Sequence, residues 1–286
     1  MAPRVIEQAL GRLGKAAALD AVAKPLAKKI AALIPHGVVK DALSGTWLGH
    51  PLHPMLTDLP IGCWTNAMAL DLLAGEQGRA GARFLVGMGV VTALPTAASG
   101  LADWSDTLGE ERRLGFAHAA GNTVALSCYG LSWLARRKGD HRRGVALGLL
   151  GGAIATGSAY LGGHLAWRRG VNVDRHAWDH PSDKWTDVAP EDALAPGGPP
   201  IAVGVGHDQV LLVREGDGAV RALSDVCGHA GGPLHEGTIE RGCVTCPWHG
   251  SVFRLDDGGV AHGPATGPQP VYEAELAAGR VSVRRH

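Results

Sequence analysis

The chain has 286 residues, with 27 Lys and Arg against 27 Asp and Glu, a hydrophobic fraction of 45% and five cysteines. Zero net charge excludes a global electrostatic pull toward nucleic acid or an acidic partner, and five unevenly spaced cysteines exclude the disulfide framework of a small secreted protein. The length holds two domains, and they differ in kind: apolar and small residues crowd between Leu56 and Trp167, while charged and turn residues follow, the pattern of a membrane half and a soluble half.

Apolar residues recur at helical spacing from Val5 onward (Ile6, Ala9, Leu10, Leu13), between Arg4, Arg12, Lys15, Lys24, Lys28 and Lys29. This predicts one or two amphipathic helices, broken at Pro25. Such a segment suits an anionic membrane face or a partner helix. It lacks the compact apolar core and cleavage site of a secretory leader, and no twin-arginine signal stands near its start.

Four apolar segments follow, at about 56–73, 84–101, 114–134 and 145–167. Each is long enough to cross a hydrocarbon core about 30 Å thick at ~1.5 Å of rise per residue. They are rich in Gly, Ala, Ser and Thr, which lets helices approach closely in lipid. A soluble Ala/Gly-rich bundle would share that composition, but here the charges gather between the segments, at Arg79, Arg83, Glu110, Glu111, Arg112, Arg113, Arg136, Arg137 and Lys138.

With four spans, His50, His53 and Asp58 open the first, Asp103 and Trp104 close the second, His118 opens the third and His164 closes the fourth, all on one membrane face. Ionisable residues near hydrocarbon usually face a bundle interior, so a second cofactor site is one expectation. Two imidazoles on facing helices suit a haem b, with His118 and His164 as the first pair. His50 and His53 with a further group suit another transition metal. Each histidine taken singly is better read as capping a helix or bonding a backbone group.

Residues 168–200 are polar, with Trp178, Trp185 and a Pro/Gly cluster at 196–200, and mark a domain boundary. His176 and His180 within them are expected in solvent. From Ile201 onward short alternating runs such as 210–213 and 220–223 are separated by turns, an all-β signature.

Within this β half stand Cys227–Gly228–His229 and Cys246–Pro247–Trp248–His249, a C-x-H and a C-x-x-H separated by sixteen residues. Each half offers one thiolate and one imidazole, which together fill the ligand set of a centre in which two cysteines hold one iron and two histidines the other. Spacing alone also admits zinc, but a zinc finger needs neither the Gly231–Gly232 turn nor the Pro–Trp–His–Gly tip. With Asp225–Val226, Pro233–Leu234, Phe253 and Asp257–Gly258, this stretch resembles the Rieske [2Fe–2S] ferredoxins over about residues 185–286.

The resemblance implies a [2Fe–2S] cluster held by Cys227, His229, Cys246 and His249, with Ser251 tuning it through a bond to a cluster sulfur. Gly232 and Trp248 stand where high-potential respiratory members carry a disulfide, and Phe253 where they carry a tyrosine. Fewer donors to the cluster imply a potential in the lower half of the Rieske range. Cys243 is read as a buried small hydrophobe, and His207, His235 and His262 receive no role. Residues 49–54, 58–62, 100–104 and 161–165 likewise resemble a family of bacterial four-helix membrane proteins, which brings no activity with it.

The expected fold class is α + β and multidomain. An amphipathic helical segment (1–45) precedes a four-helix transmembrane bundle (46–168), a linker (169–184) and an all-β Rieske domain (185–286) of small antiparallel sheets with a cluster-binding subdomain. The expected function is one-electron transfer between a soluble redox partner, a reductase or acceptor protein, and a membrane component such as a quinone. That makes the protein an electron-transfer component rather than a stand-alone catalyst, with a redox sensor as the alternative. An oxygenase subunit would need a further iron domain, which does not follow before His286. A multi-pass protein of the inner (cell) membrane is expected, in contact with lipid and without nucleic acid. Loop charges are nearly balanced across the two faces, and cysteine ligands stay reduced in the cytoplasm, so the Rieske domain and both termini are expected there.

Overall fold

The computed structural model describes residues 4–179 and 183–285. Its helices run in chain order as α1 (Arg4–Lys15), α2 (Asp20–Leu33), α3 (Val38–Ser44), α4 (Leu52–Leu73), α5 (Gly75–Ser105), α6 (Gly109–Arg137) and α7 (His141–Arg169). Two compact units result, one of Met1–Pro35 with Leu52–Val171 and one of His36–Pro51 with Asn172–His286. The short helix α3 therefore belongs with the second unit.

In the first unit the amphipathic segment is two helices, but the break falls at Ala16 and a 3₁₀ turn at Ala17–Leu19 rather than at Pro25. Pro25 forfeits one backbone bond inside α2. Burial offsets this, because Ala23, Ala27 and Ile30 pack against Trp104, Leu101 and Phe116. Arg113 clamps the start of α2, its Nε and an Nη donating to the two Asp20 oxygens at 2.8 and 2.7 Å. Leu10, Ala23, Ala27 and Ile30 of the apolar stripe are thus covered by helices of its own chain, whereas Val5, Ile6, Val22 and Leu33 stay exposed.

Helices α4 to α7 pack in sequence, α4 on α5, α5 on α6 and α6 on α7. Small residues make the close approach possible. The Trp64 indole of α4 occupies the space that a Cβ at Gly89 of α5 would take, and it stacks on Tyr129 of α6 with ring centroids 3.9 Å apart. Pro60, buried within α4, has no N–H for the Leu56 carbonyl. The Thr96 hydroxyl of α5 donates to that carbonyl instead, at 3.1 Å. Farther along, Arg136 and Asp71 form an ion pair whose side chains are 1% and 6% exposed.

Two of the four long helices, Gly75–Ser105 and His141–Arg169, are long and apolar enough to cross a membrane. Only 28% and 17% of their most apolar windows is buried, so their hydrophobic surface points outward rather than into a core. Helices α4 and α6 are of similar length, but Asp58, Asn66 and Asp71 in one and His118 and Asn122 in the other lower their apolarity.

The second unit holds β1 (Thr186–Pro190), β2 (Ile201–Val205), β3 (Asp208–Arg214), β4 (Val220–Ser224), β5 (Thr238–Glu240), β6 (Cys243–Thr245), β7 (Val252–Arg254), β8 (Val260–His262), β9 (Val271–Ala277) and β10 (Arg280–Arg284). Six of them form an antiparallel sheet in the order β1-β10-β9-β4-β3-β2, and β5-β6-β7-β8 form a smaller one. Strand β3 alternates between two cores. Val210 and Leu212 pack with Ala222, Tyr272, Val281 and Val283. Leu211 and Val213 point the other way, toward Leu223, Leu234, Val244, Phe253 and both Cys227 and Cys246. The period of two in a strand is what lets one segment serve both.

Candidate metal centre

Two loops form the site, one leading from β4 of the larger sheet to β5 of the smaller and one between β6 and β7. Each closes on itself in the same way. In the first, the Cys227 N–H donates to Gly232 O (2.9 Å) and the Gly231 N–H to Cys227 O (2.8 Å). In the second, the Cys246 N–H donates to Ser251 O (2.8 Å) and the Gly250 N–H to Cys246 O (3.1 Å). Gly231 and Gly250 adopt φ of +85° and +70°, left-handed conformations that a glycine reaches without a Cβ penalty. The equivalent turns set a cysteine at the base of each loop and a histidine at its tip.

The four side chains predicted from sequence are brought together. Cys227 and Cys246 are buried, at 1% and 3% exposure, while His229 and His249 are half-buried with ring centroids 5.2 Å apart and ring planes at 89°. The Cys227 thiol donates to the Cys246 sulfur. This bond is the largest influence holding the Cys246 thiol below its ordinary range, against its burial, with the Trp248 and His249 N–H groups assisting. The same bond, then burial, pushes Cys227 up, while the N–H groups of His229 and Ala230 favour its thiolate. Two sulfurs sharing a proton, each facing backbone donors, are a donor set made for a cation that takes two thiolates.

Close approach of the loops depends on Gly232, where a Cβ would stand 2.8 Å from the Cys246 sulfur and 3.0 Å from Cγ of Trp248. Trp248, 53% exposed, lies over that glycine, and all five cysteines are free thiols. Ser251 is fully buried and its Oγ accepts the Ala265 N–H at 3.0 Å, which leaves the hydroxyl proton to be donated. Phe253 is fully buried in the core beneath. Cys243 is half-buried rather than buried.

Several supporting residues carry no local signal in the sequence. Gln269, 1% exposed, donates through Nε2 to Ser224 O and Val226 O and accepts the Gly228 N–H at 3.2 Å, tying the first loop from below. His176 is not in solvent as its polar surroundings suggested. Its Nδ1 lies 2.9 Å from Asp179 Oδ2, its Nε2 lies 3.2 Å from Gln269 Nε2, and its side chain is 6% exposed. It is a buried prop of the loop; His180 lies outside the described residues. His235 bonds Asp225 Oδ2 at 2.7 Å. Segment 36–51 is also attached here, since Asp41 accepts the Gly263 N–H (2.8 Å) and lies 3.0 Å from His262 Nδ1, and Thr46 donates to Ala265 O. Partners more than 200 residues apart leave no trace in local spacing.

The helical histidines divide differently from the sequence expectation. His50 is exposed and lies in the 36–51 segment of the second unit. His53 and His118 meet inside the first unit, with ring centroids 6.4 Å apart. His118 therefore has its ring contact with His53 and not with half-buried His164.

Comparison with known proteins gives two family matches, the Rieske [2Fe-2S] domain over residues 184–273 and Predicted membrane protein (DUF2231) over residues 49–175. Apoptosis-inducing factor 3 of Mus musculus is 34% identical over 82 residues, 29% of this chain and 13% of its own length. The chain thus spans only a small part of that relative. Ferredoxin CarAc of Metapseudomonas resinovorans is 33% identical over 99 residues, covering 35% of this chain and 92% of the ferredoxin. The anthranilate 1,2-dioxygenase ferredoxin subunit of Burkholderia cepacia is 34% identical over 84 residues, 29% of this chain and 77% of that subunit. Two cysteine–histidine loops on a small antiparallel sheet, matched along nearly a whole ferredoxin, mean that this chain belongs to the Rieske [2Fe–2S] family, its electron-transfer domain joined to a predicted membrane domain.

Proposed function

We propose that the protein is a membrane-anchored carrier of single electrons between a soluble redox partner and a membrane component. Cys227 and Cys246 would hold one iron and His229 and His249 the other. When bound, the [2Fe–2S] cluster supplies a one-electron couple. The observation that carries this reading is the split of the donor set, with buried thiols at the base and half-buried imidazoles at the tip, next to exposed Trp248. The half-buried histidine edge is the side through which an electron would enter or leave. The ferredoxin relatives support a reductase or an oxygenase component as the soluble partner. Outward-facing apolar helices support the anchor in the inner membrane, with a quinone as one membrane-side acceptor. The Rieske unit sits on the cytoplasmic side, where thiol ligands stay reduced.

A second reading, a redox sensor, is favoured by the 36–51 segment, which bonds the loop of Gly263 and Ala265 beside Ser251. A change in cluster charge would be felt there. Anaerobic EPR and optical spectra of the full-length protein, with iron and sulfide analysis, test the shared premise. A Rieske signal lost in both His229→Ala and His249→Ala is expected, and stoichiometric zinc without sulfide refutes it. Rapid-mixing kinetics with a ferredoxin reductase then separate the two readings, because a carrier exchanges electrons within a turnover and a sensor does not.

A further inference from the structure

The helical unit is built from two copies of one device. In the first hairpin, the His53 ring of α4 has Nδ1 2.9 Å from the Thr96 carbonyl of α5 and fills the place of a Cβ at Gly100, which would stand 2.6 Å from it. In the second, the His118 ring of α6 has Nδ1 2.8 Å from the Ser158 carbonyl of α7 and fills the place of a Cβ at Gly162, which would stand 2.9 Å from it. A hydroxyl also bonds across each hairpin: that of Thr96 is shared between the Leu56 carbonyl (3.1 Å) and its own helix at Thr92 O (2.9 Å), and that of Ser158 donates to the His118 carbonyl at 2.8 Å. The sequence shows the same repeat, Thr96–Ala97–Ala98–Ser99–Gly100 against Ser158–Ala159–Tyr160–Leu161–Gly162.

Each half-site holds one imidazole by Nδ1 against a backbone carbonyl, the anchoring that metal-bound histidines use to fix their tautomer and orient the ring. That leaves Nε2 as the ligating atom. The two rings come from different hairpins, His53 from α4 and His118 from α6, and they lie 6.4 Å apart between centroids with planes at 89°. A metal–nitrogen bond of about 2.0 Å plus roughly 1.1 Å to the ring centre places two imidazoles trans on one metal ~6.2 Å apart, against ~5 Å for a tetrahedral pair. At 6.4 Å the two rings stand nearer the trans value than the tetrahedral one. Among the described residues no third His, Cys, Asp or Glu joins His53 and His118 in a metal-binding group, so a bare ion would lack ligands there. A haem iron brings four of its own and needs only two. Asn122 Nδ2 stands 3.1 Å from His118 Nε2 and gives up this bond to the iron.

We propose that His53 and His118 are the two axial ligands of a b-type haem, held where the two halves of the helical unit meet. The proposal is independent of the Rieske assignment.

Full-length protein from haem-replete cells, solubilised in detergent, tests it by pyridine haemochrome, optical and EPR spectroscopy, with hemin titration of any haem-free preparation. One low-spin haem per chain is expected, with the strongly anisotropic ferric signal of perpendicular imidazoles. Haem content should fall about tenfold or more in His53→Ala and His118→Ala and stay in His164→Ala and Asn122→Ala. Should the alanine variants fail to fold, His53→Gly with added imidazole should restore the low-spin spectrum. The proposal is overturned if the wild type takes up no haem, if it binds a transition metal alone, if the His53 and His118 variants keep the wild-type spectrum, or if His164→Ala loses it. The Rieske EPR signal of the same samples reports separately on the cluster.

Discussion

Gln269→Leu is the most direct probe of how the first cluster loop is held. The side chain is 1% exposed and its amide meets three backbone groups, Ser224 O, Val226 O and the Gly228 N–H. Leucine occupies a similar volume but offers none of these bonds. At about 1 kcal/mol for each net hydrogen bond the loss is about 3 kcal/mol, rising toward 4 kcal/mol because buried carbonyls are left without a donor. In a domain of this size each 1 kcal/mol moves the unfolding midpoint by roughly 3–5 °C, so the cluster should bleach some 10–15 °C earlier. The assay is the temperature at which visible Rieske absorption disappears in the full-length, detergent-solubilised protein. Gln269→Glu keeps the acceptor for Gly228 and loses the donors, so it should fall between the two. A leucine variant that bleaches within about 2 °C of wild type would show that the amide does not hold the loop.

Arg136→Met should destabilise the helical unit by about 3 kcal/mol, since it leaves the Asp71 carboxylate, which is 6% exposed, with only His141 Nε2 at 3.6 Å, whereas Arg136→Met with Asp71→Leu should recover most of the loss; unfolding in a denaturing detergent series reads both. Burial pushes the Tyr272 phenol up to about 12, an effect eased by Arg285 and reinforced by Asp208. The neutral phenol is thus favoured by the fold, and its contribution, of order 2 kcal/mol, is intact below about pH 10 and lost as pH rises toward 12. Urea midpoints across that window should fall more steeply for wild type than for Tyr272→Phe, and identical slopes would refute the assignment.

Much of the molecule was legible in the residues themselves. The cysteine–histidine pairs announce their chemistry because a thiolate and an imidazole at fixed short spacing must sit on one turn, and the left-handed glycines beside them are part of the same local geometry. Apolar runs of about twenty residues likewise declare long helices, since the backbone rise is constant. Both are local facts, set within a few residues of chain.

What tertiary structure alone decided is which distant groups meet. Pro25 suggests a helix break, yet packing on Trp104 carries α2 through it. His176 reads as solvated until Gln269, 93 residues away, closes over it. Asp41 belongs by position to the helices but bonds the turn at Gly263, 222 residues on. His118 faces His53 rather than His164 because glycine notches at 100 and 162 seat the two rings. Contacts at that separation depend on helix rotation and strand pairing, which follow from packing the whole chain at once and leave no periodic mark on the sequence.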